Sequence, residues 1–425
     1  MDTRRLILVM IFTFSSFMLW ESWQKYNAPK PAPTVAAQGE AGAVVPQPSA
    51  ALQATGPGAT PAAPAVAAPA GGETFTVTTD LLKATISPVG GDIVGLELLK
   101  YREHDAKDKN FQLFDPKHSY RAQSGLIGQG LPTHRTQLTR VPGPTEMADG
   151  SDELKIRLAA PAENGVKATK VLTFRRGSYV VDVAWEIENQ GDKPLVTHAY
   201  HQLQRDGLAP AGETMMVSTF TGPAVFSDAE KYQKVTFDEV GSGKAKFVKT
   251  ADDGWLAMVQ HYFVSALVPK AGVSREYYMR KVEGQNLYQT GVIVPVGEIA
   301  PGAAGGSSVT LFAGPQEQNA LKKLAPGLDL VVDYGWLTVI AAPIFWALEA
   351  IYKLVGNWGW AIVVLTIIIK AIFYPLSAAS YKSMAKMKVL TPRLMQLKER
   401  FGDDKQRLNQ EMMKLYQTEK VNPLG

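Results

Sequence analysis

The sequence contains no cysteine. This absence excludes disulfide bonds, thiolate nucleophiles and cysteine-ligated metal sites. The G-x-S-x-G, phosphate-loop and H-E-x-x-H patterns that mark hydrolases, nucleotide-binding proteins and zinc peptidases are also missing. Charge is scarce, because only 20% of the 425 residues are charged and the net charge is +4. The length favours two or more folded units, and the charge gives no reason to expect nucleic acid as the main ligand.

The chain opens with two arginines and an apolar run from Leu6 to Trp20. Fifteen helical residues span about 22 Å, which is short of the ~30 Å hydrocarbon core of a bilayer. A cleaved signal peptide is therefore one interpretation. However, no small-residue cleavage pattern follows the run directly, and Trp23 and Tyr26 extend an aromatic belt typical of a retained anchor. We predict a transmembrane anchor over residues 1–27 that sends the following chain out of the cytoplasm.

Two segments of contrasting amino-acid composition follow the predicted anchor. Residues 28–72 are mostly Ala, Pro, Gly, Gln and Val, and they predict a disordered tether. Residues 73–315 alternate short β-rich runs with turn residues, and 179–188 show the clearest period-two alternation. Many strands without helical patterns between them predict an antiparallel β-supersandwich. Further strands are expected at 74–79, 82–87, 93–99, 153–159, 167–174, 195–203, 255–268, 286–294 and 308–313.

Candidate chemistry within the sandwich is limited to two pairs of residues. Glu186 and Glu188 alternate on the polar face of one strand, where carboxylates are usually just solvated. His198 and His201 form an H-x-x-H, but on a strand these positions point to opposite faces. We therefore expect structural histidines, with no metal, cofactor, catalytic residue or small-molecule substrate.

Two apolar stretches, 335–352 and 358–376, lie near the C-terminus. Residues 377–425 contain ten Lys and Arg but only five Asp and Glu. This excess of positive charge beside an apolar stretch predicts that the tail is in the cytoplasm. Because the N-terminus is also expected inside, only one of the two stretches should span. We predict a connecting helix at 316–334, an amphipathic helix on the outer membrane surface at 335–355, and a transmembrane helix at 356–377.

A polar stripe interrupts the predicted transmembrane helix. Thr366, Lys370, Tyr374, Ser377 and Tyr381 are separated by steps of four, four, three and four, so they share one helical face. A charge within the bilayer costs about 2.5–3.5 kcal/mol on insertion scales. The lysine could snorkel to the cytoplasmic surface, but snorkelling needs no stripe. The pattern favours a water-filled cavity.

The tail, residues 378–425, predicts a basic, methionine-rich helical hairpin. Thr391-Pro392 has the form of a helix start, Gly402 ends that helix, and Asp403 can cap the next one. Met384 and Met387 belong to the methionine-rich part, which suits varied apolar partners or simple packing inside the hairpin. The basic surface suits anionic lipid headgroups or ribosomal RNA, and the residues do not decide between them.

Several ordered motifs resemble the YidC family of bacterial membrane protein insertases. They are VDYGW at 332–336, VGNWG at 355–359, YPL at 374–376, SMAKM at 383–387, GDDKQR at 402–407 and KVNPLG at 420–425. The resemblance covers the whole chain and is weakest in the tether. In that family the groove helix carries one basic residue, usually arginine, where this sequence has Lys370. The chain ends where the family continues into three more membrane helices, so it resembles a truncated insertase.

The resemblance implies a multi-pass inner-membrane insertase and chaperone with a mutarotase-like periplasmic domain that does no mutarotase chemistry. Thr366, Lys370, Tyr374 and Tyr381 would line a hydrophilic groove for the polar tail of a client. Asp403 would lie in the hairpin that engages clients and ribosomes. The implied partners are nascent membrane proteins, the Sec translocon, the ribosome and the lipid bilayer.

Two other functions remain open on the sequence alone. A membrane-tethered periplasmic carbohydrate-binding or mutarotase-like protein predicts histidines and carboxylates that converge on one concave site. The six histidines are scattered along the chain, which disfavours that hypothesis. A scaffold that joins periplasmic and cytoplasmic partners predicts that Lys370→Ala has no effect on client insertion.

Overall fold

The computed structural model describes residues 45–49, 72–103, 106–210, 219–334, 337–402 and 404–419. The predicted anchor at 1–27 lies outside the described residues, and so does most of the predicted tether at 28–72. The chain divides into two compact units, Met1–Val332 and Asp333–Gly425.

The first unit contains two antiparallel sheets of nine strands each. In chain order the strands are β1 (Phe75–Thr78), β2 (Leu82–Ile86), β3 (Ile93–Arg102), β4 (Asn110–Phe114), β5 (Arg121–Ile127), β6 (Thr139–Arg140), β7 (Glu153–Ala159), β8 (Val166–Arg175), β9 (Val180–Asn189), β10 (Leu195–Asp206), β11 (Gly222–Ser227), β12 (Lys231–Lys234), β13 (Thr250–Ala251), β14 (Trp255–Gln260), β15 (Phe263–Pro269), β16 (Arg275–Lys281), β17 (Leu287–Ile299) and β18 (Ala304–Pro315).

Each sheet contains strands from both the early and the late part of the chain. The first sheet runs β1-β2-β3-β5-β10-β17-β16-β13, with β4 paired to β3. The second runs β12-β11-β14-β15-β18-β9-β8-β7-β6. The chain crosses between the two sheets several times. The predicted all-β sandwich is confirmed.

Strand β9 shows how the sequence pattern builds the core. Val181, Val183, Trp185 and Ile187 are buried, and the alternate residues between them are half-buried or exposed. A strand places successive side chains on opposite faces, so period-two sequence becomes one apolar face. The largest apolar core contains these residues. Removal of such a core from water is the dominant favourable contribution to folding.

The strand predicted at 255–268 is two strands instead of one. β14 and β15 pair antiparallel through a tight turn in which Gln260 lies opposite Phe263. Tyr262 in that turn has a φ of 67°. Left-handed backbone usually calls for Gly, Asn or Asp, so His261-Tyr262 gave no turn signal and the prediction of one strand was wrong.

The sandwich also carries short helices. α1 (Phe237–Gly241) begins with a capping box in which Thr236 and Glu239 bond reciprocally. α2 (Gln318–Leu324) and a 3-10 turn at Leu328–Val331 follow the last strand and cover a second apolar cluster around Trp255. The Trp255 indole N–H donates to the Pro326 carbonyl at 3.0 Å.

The second unit consists of three helices, α3 (Thr338–Val355), α4 (Trp358–Phe401) and α5 (Lys405–Thr418). A two-residue connection joins α3 to α4. Gly356 takes the left-handed conformation that ends α3, with a φ of 69°, and its N–H donates to Tyr352. The Asn357 side chain then accepts from the Trp360 N–H and begins α4.

Helix α4 differs from the prediction of a separate helix starting at Thr391-Pro392. It runs without a break from Trp358 to Phe401 and includes Pro375 and Pro392 in its interior. The Thr391 hydroxyl donates to the Met387 carbonyl one turn earlier, at 3.2 Å, so it does not cap a new helix. The predicted span at 356–377 and the first helix of the hairpin are therefore one element.

The predicted cap of the last helix was one residue out of place. The side chain that begins α5 is Asp404, whose carboxylate accepts from the Arg407 N–H at 3.0 Å. Asp403 lies outside the described residues. The helices α4 and α5 still form the antiparallel hairpin that the sequence predicts, and Arg393 of one helix pairs with Glu419 beyond the end of the other at 2.8 Å.

Candidate functional site

The polar stripe of α4 is the candidate site. At 3.6 residues per turn, the positions 366, 370, 374, 377 and 381 fall within about 80° of arc. Because α4 is one continuous helix, this face extends over about 22 Å of helix axis. The structure therefore supports the predicted sharing of one face by Thr366, Lys370, Tyr374 and Tyr381.

The polar group of the stripe's threonine is hydrogen-bonded within its own helix. The Thr366 hydroxyl donates to the Ile362 carbonyl at 2.7 Å, so it needs no other partner. Tyr374 and Tyr381 are 71% and 72% exposed. Within the described part of the chain, the Lys370 ammonium has no carboxylate or hydrogen-bond partner. The stripe thus presents one cation and two phenols that are free to meet another molecule.

The surroundings of the stripe are apolar and open. Ile362, Ile367, Ile372 and Phe373 are each more than half exposed. Helices α3 and α4 are both long and apolar enough to cross a membrane, judged by length and composition alone. They contact each other near their connection, where Tyr352 and Trp358 stack with ring centroids 4.0 Å apart.

Two methionines singled out in the predicted hairpin, Met384 and Met387, follow the stripe along α4. Met384 falls at the same helical angle as Thr366 and is exposed, so it continues the stripe. Met387 is half-buried and turns about 60° towards the face on which Leu390 is buried. The structure therefore brings Met384 to the candidate site and places Met387 nearer the hairpin contact.

The sandwich does not assemble the residues that the sequence singled out there. Glu186 pairs with Arg157, and Glu188 pairs with Lys167 at 3.1 Å, so each carboxylate has its own surface cation. His201 is buried against the core, whereas His198 is half-buried on the opposite face. Among the described residues no group of three or more His, Asp or Glu could hold a metal ion.

A buried polar network in the sandwich was missed. Lys170 is 2% exposed, donates to the Gly90 carbonyl at 2.9 Å and lies 3.8 Å from Asp92. Burial lowers the pKa of Lys170 to about 8, and Asp92 acts against that shift. Gln123 donates to Asp92 and accepts from Gln202. The network joins strand β8 of the second sheet to the start of β3 in the first.

This network is sealed from solvent, so we interpret it as structural. The sequence did hold a signal for it, because Lys170 alternates in step with Val166, Ala168, Leu172 and Phe174, which are all buried. A lysine on the apolar face of a strand requires a buried acceptor. The acceptor, Asp92, is distant in sequence and could not be identified without the fold.

Family models cover nearly all of the chain beyond its first 73 residues. Residues 74–347 match the family described as YidC periplasmic domain, and residues 350–425 match the family described as 60Kd inner membrane protein. Among curated proteins, the chain is 74% identical over 426 residues to the membrane protein insertase YidC of Dechloromonas aromatica, covering 100% of this chain and 77% of that protein. It is 55% identical to the YidC insertase of Aromatoleum aromaticum, covering 100% of this chain and 78% of that one.

Solved structures match the chain only distantly. A galactose mutarotase related enzyme from Lactobacillus acidophilus gives a TM-score of 0.36 at 10% identity, covering 57% of this chain and 97% of that one. A putative aldose 1-epimerase from Escherichia coli K12 gives 0.35 at 10% identity, covering 57% and 99%. At these TM-scores the similarity carries no argument about a sugar ligand or reaction.

Proposed function

Since the chain belongs to the YidC family and is a membrane protein insertase of the inner membrane, we propose that the stripe on α4 is where it receives its clients. Lys370 attracts the acidic or polar tail of a client, and Thr366, Tyr374 and Tyr381 line the path beside it. The apolar segment of the client then passes into lipid. The observation that carries this proposal is one cation, without a partner among the described residues, within a polar stripe on an otherwise apolar helix.

The length of α4 and the positive charge of the tail support the proposed membrane arrangement. Its 44 residues extend about 66 Å, roughly twice the thickness of the hydrocarbon core. Its apolar first part, up to Leu376, spans about 28 Å, so the remaining 25 residues project into the cytoplasm. In this arrangement α3 lies at the outer surface, the sandwich lies in the periplasm, and the N-terminus is cytoplasmic.

Electrostatics favour an acidic client group beside Lys370. A lysine within the hydrocarbon region costs about 2.5–3.5 kcal/mol on insertion scales. A carboxylate 4 Å away recovers about 4 kcal/mol at an effective dielectric constant of 20. The two magnitudes are similar, so a client carboxylate can offset the cost of the cation and can leave again. The site attracts its client without trapping it.

The free energy for insertion comes from the client itself. Apolar residues such as leucine contribute about −0.3 to −0.6 kcal/mol each at the centre of a membrane helix. A segment of about 20 such residues therefore supplies roughly −6 to −12 kcal/mol on entering lipid. No nucleotide hydrolysis is needed for that step.

Partners on the cytoplasmic side suit the charge of the tail. Ten Lys and Arg against five acids from residue 377 onward support contact with ribosomal RNA or with anionic lipid headgroups. We include the Sec translocon among the proposed partners, on the basis of family membership. The exposed Met384 supplies an adaptable apolar contact for the emerging client.

A charge exchange tests the proposal. The chain, completed with the part of the Dechloromonas aromatica insertase that it does not cover, is expressed in cells depleted of their own insertase. The client is a single-span protein with two acidic residues in its translocated tail. Lys370→Glu should reduce its insertion at least tenfold, whereas Lys370→Arg should keep it.

The decisive arm pairs Lys370→Glu with a client whose two acids are changed to lysine. Insertion of that client should recover severalfold relative to the acidic client. Lys382→Glu is the matched control, because position 382 lies about 120° away from the middle of the stripe. Equal insertion of both clients by wild type and by Lys370→Glu would refute the proposed electrostatic role of Lys370.

A further inference from the structure

The segment Val45–Ser49 of the proline-rich linker, here called the strap, is part of the structured chain. It lies within the predicted disordered tether at 28–72, most of which is outside the described residues. Pro46 and Pro48 are buried, whereas Gln47 and Ser49 between and after them are exposed. This alternation is typical of an extended segment with one face against a protein surface. Composition alone gave no sign of it, because the rest of the linker is equally rich in proline and alanine.

One hydrogen bond locates the strap on the sandwich. The Ser49 backbone N–H donates to the Glu276 carboxylate at 2.7 Å, across 227 positions of sequence. An ionised acceptor makes such a bond about twice as strong as one between neutral groups. Glu276 belongs to β16, between Arg275 and Tyr277, which are both buried. Its side chain therefore faces away from the core, on the outer face of the first sheet.

The outer face near Glu276 has the character of a covered site. Ile293 lies opposite Glu276 in the pairing of β16 with β17. It alternates with Val292 and Val294, which face the core, so it points outward, yet it is only 1% exposed. Burial lowers the pKa of His198 and of Lys249, and Glu276 acts against both shifts, so both side chains lie near the same carboxylate. This region therefore combines an apolar patch with a carboxylate acceptor.

We propose that the outer face of the first sheet around Glu276 is a binding site for an extended, proline-containing peptide, and that the strap Val45–Ser49 is its resident occupant. Proline fixes φ near −65° and drives the preceding residue to extended backbone. Val45 and Gln47 each precede a proline, so the strap loses little entropy on docking. The two prolines fill the apolar surface, and Glu276 fixes the register at Ser49.

Docking shortens the connection between the predicted anchor and the sandwich. A chain of n residues spans at most ~3.3–3.6 Å × n. With the strap free, residues 28–72 could extend about 155 Å. With the strap docked, only residues 28–44 separate anchor and sandwich, and the greatest span falls to about 60 Å. The site thus limits how far the predicted anchor can lie from the sandwich, independently of the stripe on α4.

Hydrogen exchange of the full chain in detergent micelles tests the bond. In wild type, the Ser49 amide should exchange at least tenfold more slowly than in Glu276→Ala. The matched control is Glu298→Ala, which removes an exposed glutamate from the neighbouring strand β17. Unchanged exchange in β16 and β17 shows that each variant is folded. Equal exchange of Ser49 in wild type and Glu276→Ala would overturn the proposal.

A second measurement separates the site from its occupant. A labelled peptide of residues 44–50 is added to the full chain carrying Pro46→Gly and Pro48→Gly. A tethered occupant has an effective concentration in the millimolar range, so the peptide should bind this variant at least tenfold more tightly than wild type. Adding Glu276→Ala should abolish binding, and Pro61→Gly with Pro64→Gly, the control in another part of the linker, should leave wild-type behaviour. Absence of binding to the strap variant, or equal binding to wild type, would contradict a peptide site.

Discussion

Protonation of His201 provides a quantitative test of the sandwich core. The imidazole lies on the core face of β10, and its Nε2 atom has no hydrogen-bond partner among the described residues. Burial and, as the smaller cause, the nearby Lys170 ammonium together lower the pKa of His201 to about 3. The unfolded chain titrates near 6.5. The folded pKa is depressed, so this contribution to stability is complete above pH 6.5 and is lost as the pH falls towards 3.

The size of the loss follows from the two pKa values. Between pH 7.5 and pH 4.5 the unfolded state takes up a proton that the folded state does not, which costs about 3 kcal/mol of unfolding free energy. The pKa of His134 is also lowered to about 3, mainly by burial, so this residue adds a similar loss. The free energy of unfolding of a typical domain is only about 5–15 kcal/mol. Acidification to pH 4.5 should therefore bring the sandwich close to unfolding.

The variant His201→Phe separates this effect from general acid sensitivity. It keeps an aromatic ring of similar size and removes the titration, so at pH 7.5 its stability should lie within about 1.5 kcal/mol of wild type. At pH 4.5 the variant should be the more stable protein, by about 1–3 kcal/mol. Hydrogen exchange of the slowest amides in β10 and β17, corrected for intrinsic rates, measures both free energies. The same stability difference at both pH values would refute the reasoning.

Three further predictions concern local structure. The guanidinium of Arg275 is fully buried and donates to five backbone carbonyls, so Arg275→Met should lower the stability of the sandwich by about 3–5 kcal/mol in urea unfolding. Gly254 has a φ of 78°, and an added Cβ would lie 1.8 Å from the Phe226 carbonyl oxygen. Gly254→Ala should therefore lower the thermal midpoint of unfolding. An unchanged midpoint would contradict the packing described. Asn357→Ala removes the cap of α4 and should speed amide exchange at Trp360 about fivefold or more, corresponding to about 1 kcal/mol.

Strands were predicted correctly where one face of the strand is buried. The prediction failed where an unusual backbone conformation ends a strand. The alternation at 179–188 predicted β9 to within one residue at each end. The turn at Tyr262 could not be anticipated, because a φ of 67° in a tyrosine is stabilised by the surrounding structure and not by its own preference. Likewise, Thr391-Pro392 has local features of a helix start, yet the helix continues, because one missing hydrogen bond costs less than breaking a long element.

The candidate site was predictable because helical spacing is a local property. The steps from Thr366 to Tyr381 place the stripe on one face, and the continuous α4 preserves that face. Contacts between distant residues were not predictable in the same way. The pairing of Lys170 with Asp92 and of Ser49 with Glu276 spans 78 and 227 positions, and only the fold brings these groups together.

The central claim is that clients contact the polar face of α4 and not its apolar face. Site-specific photo-crosslinking tests it directly, with the photoreactive residue at Tyr374 on the stripe or at Ile372, which is exposed about 160° away from the middle of the stripe. Lys370 stays in place in both proteins. An arrested client with an acidic tail should crosslink strongly at Tyr374 and weakly at Ile372, and Lys370→Glu should reduce the Tyr374 product. Equal crosslinking from both faces, unaffected by Lys370→Glu, would contradict the account.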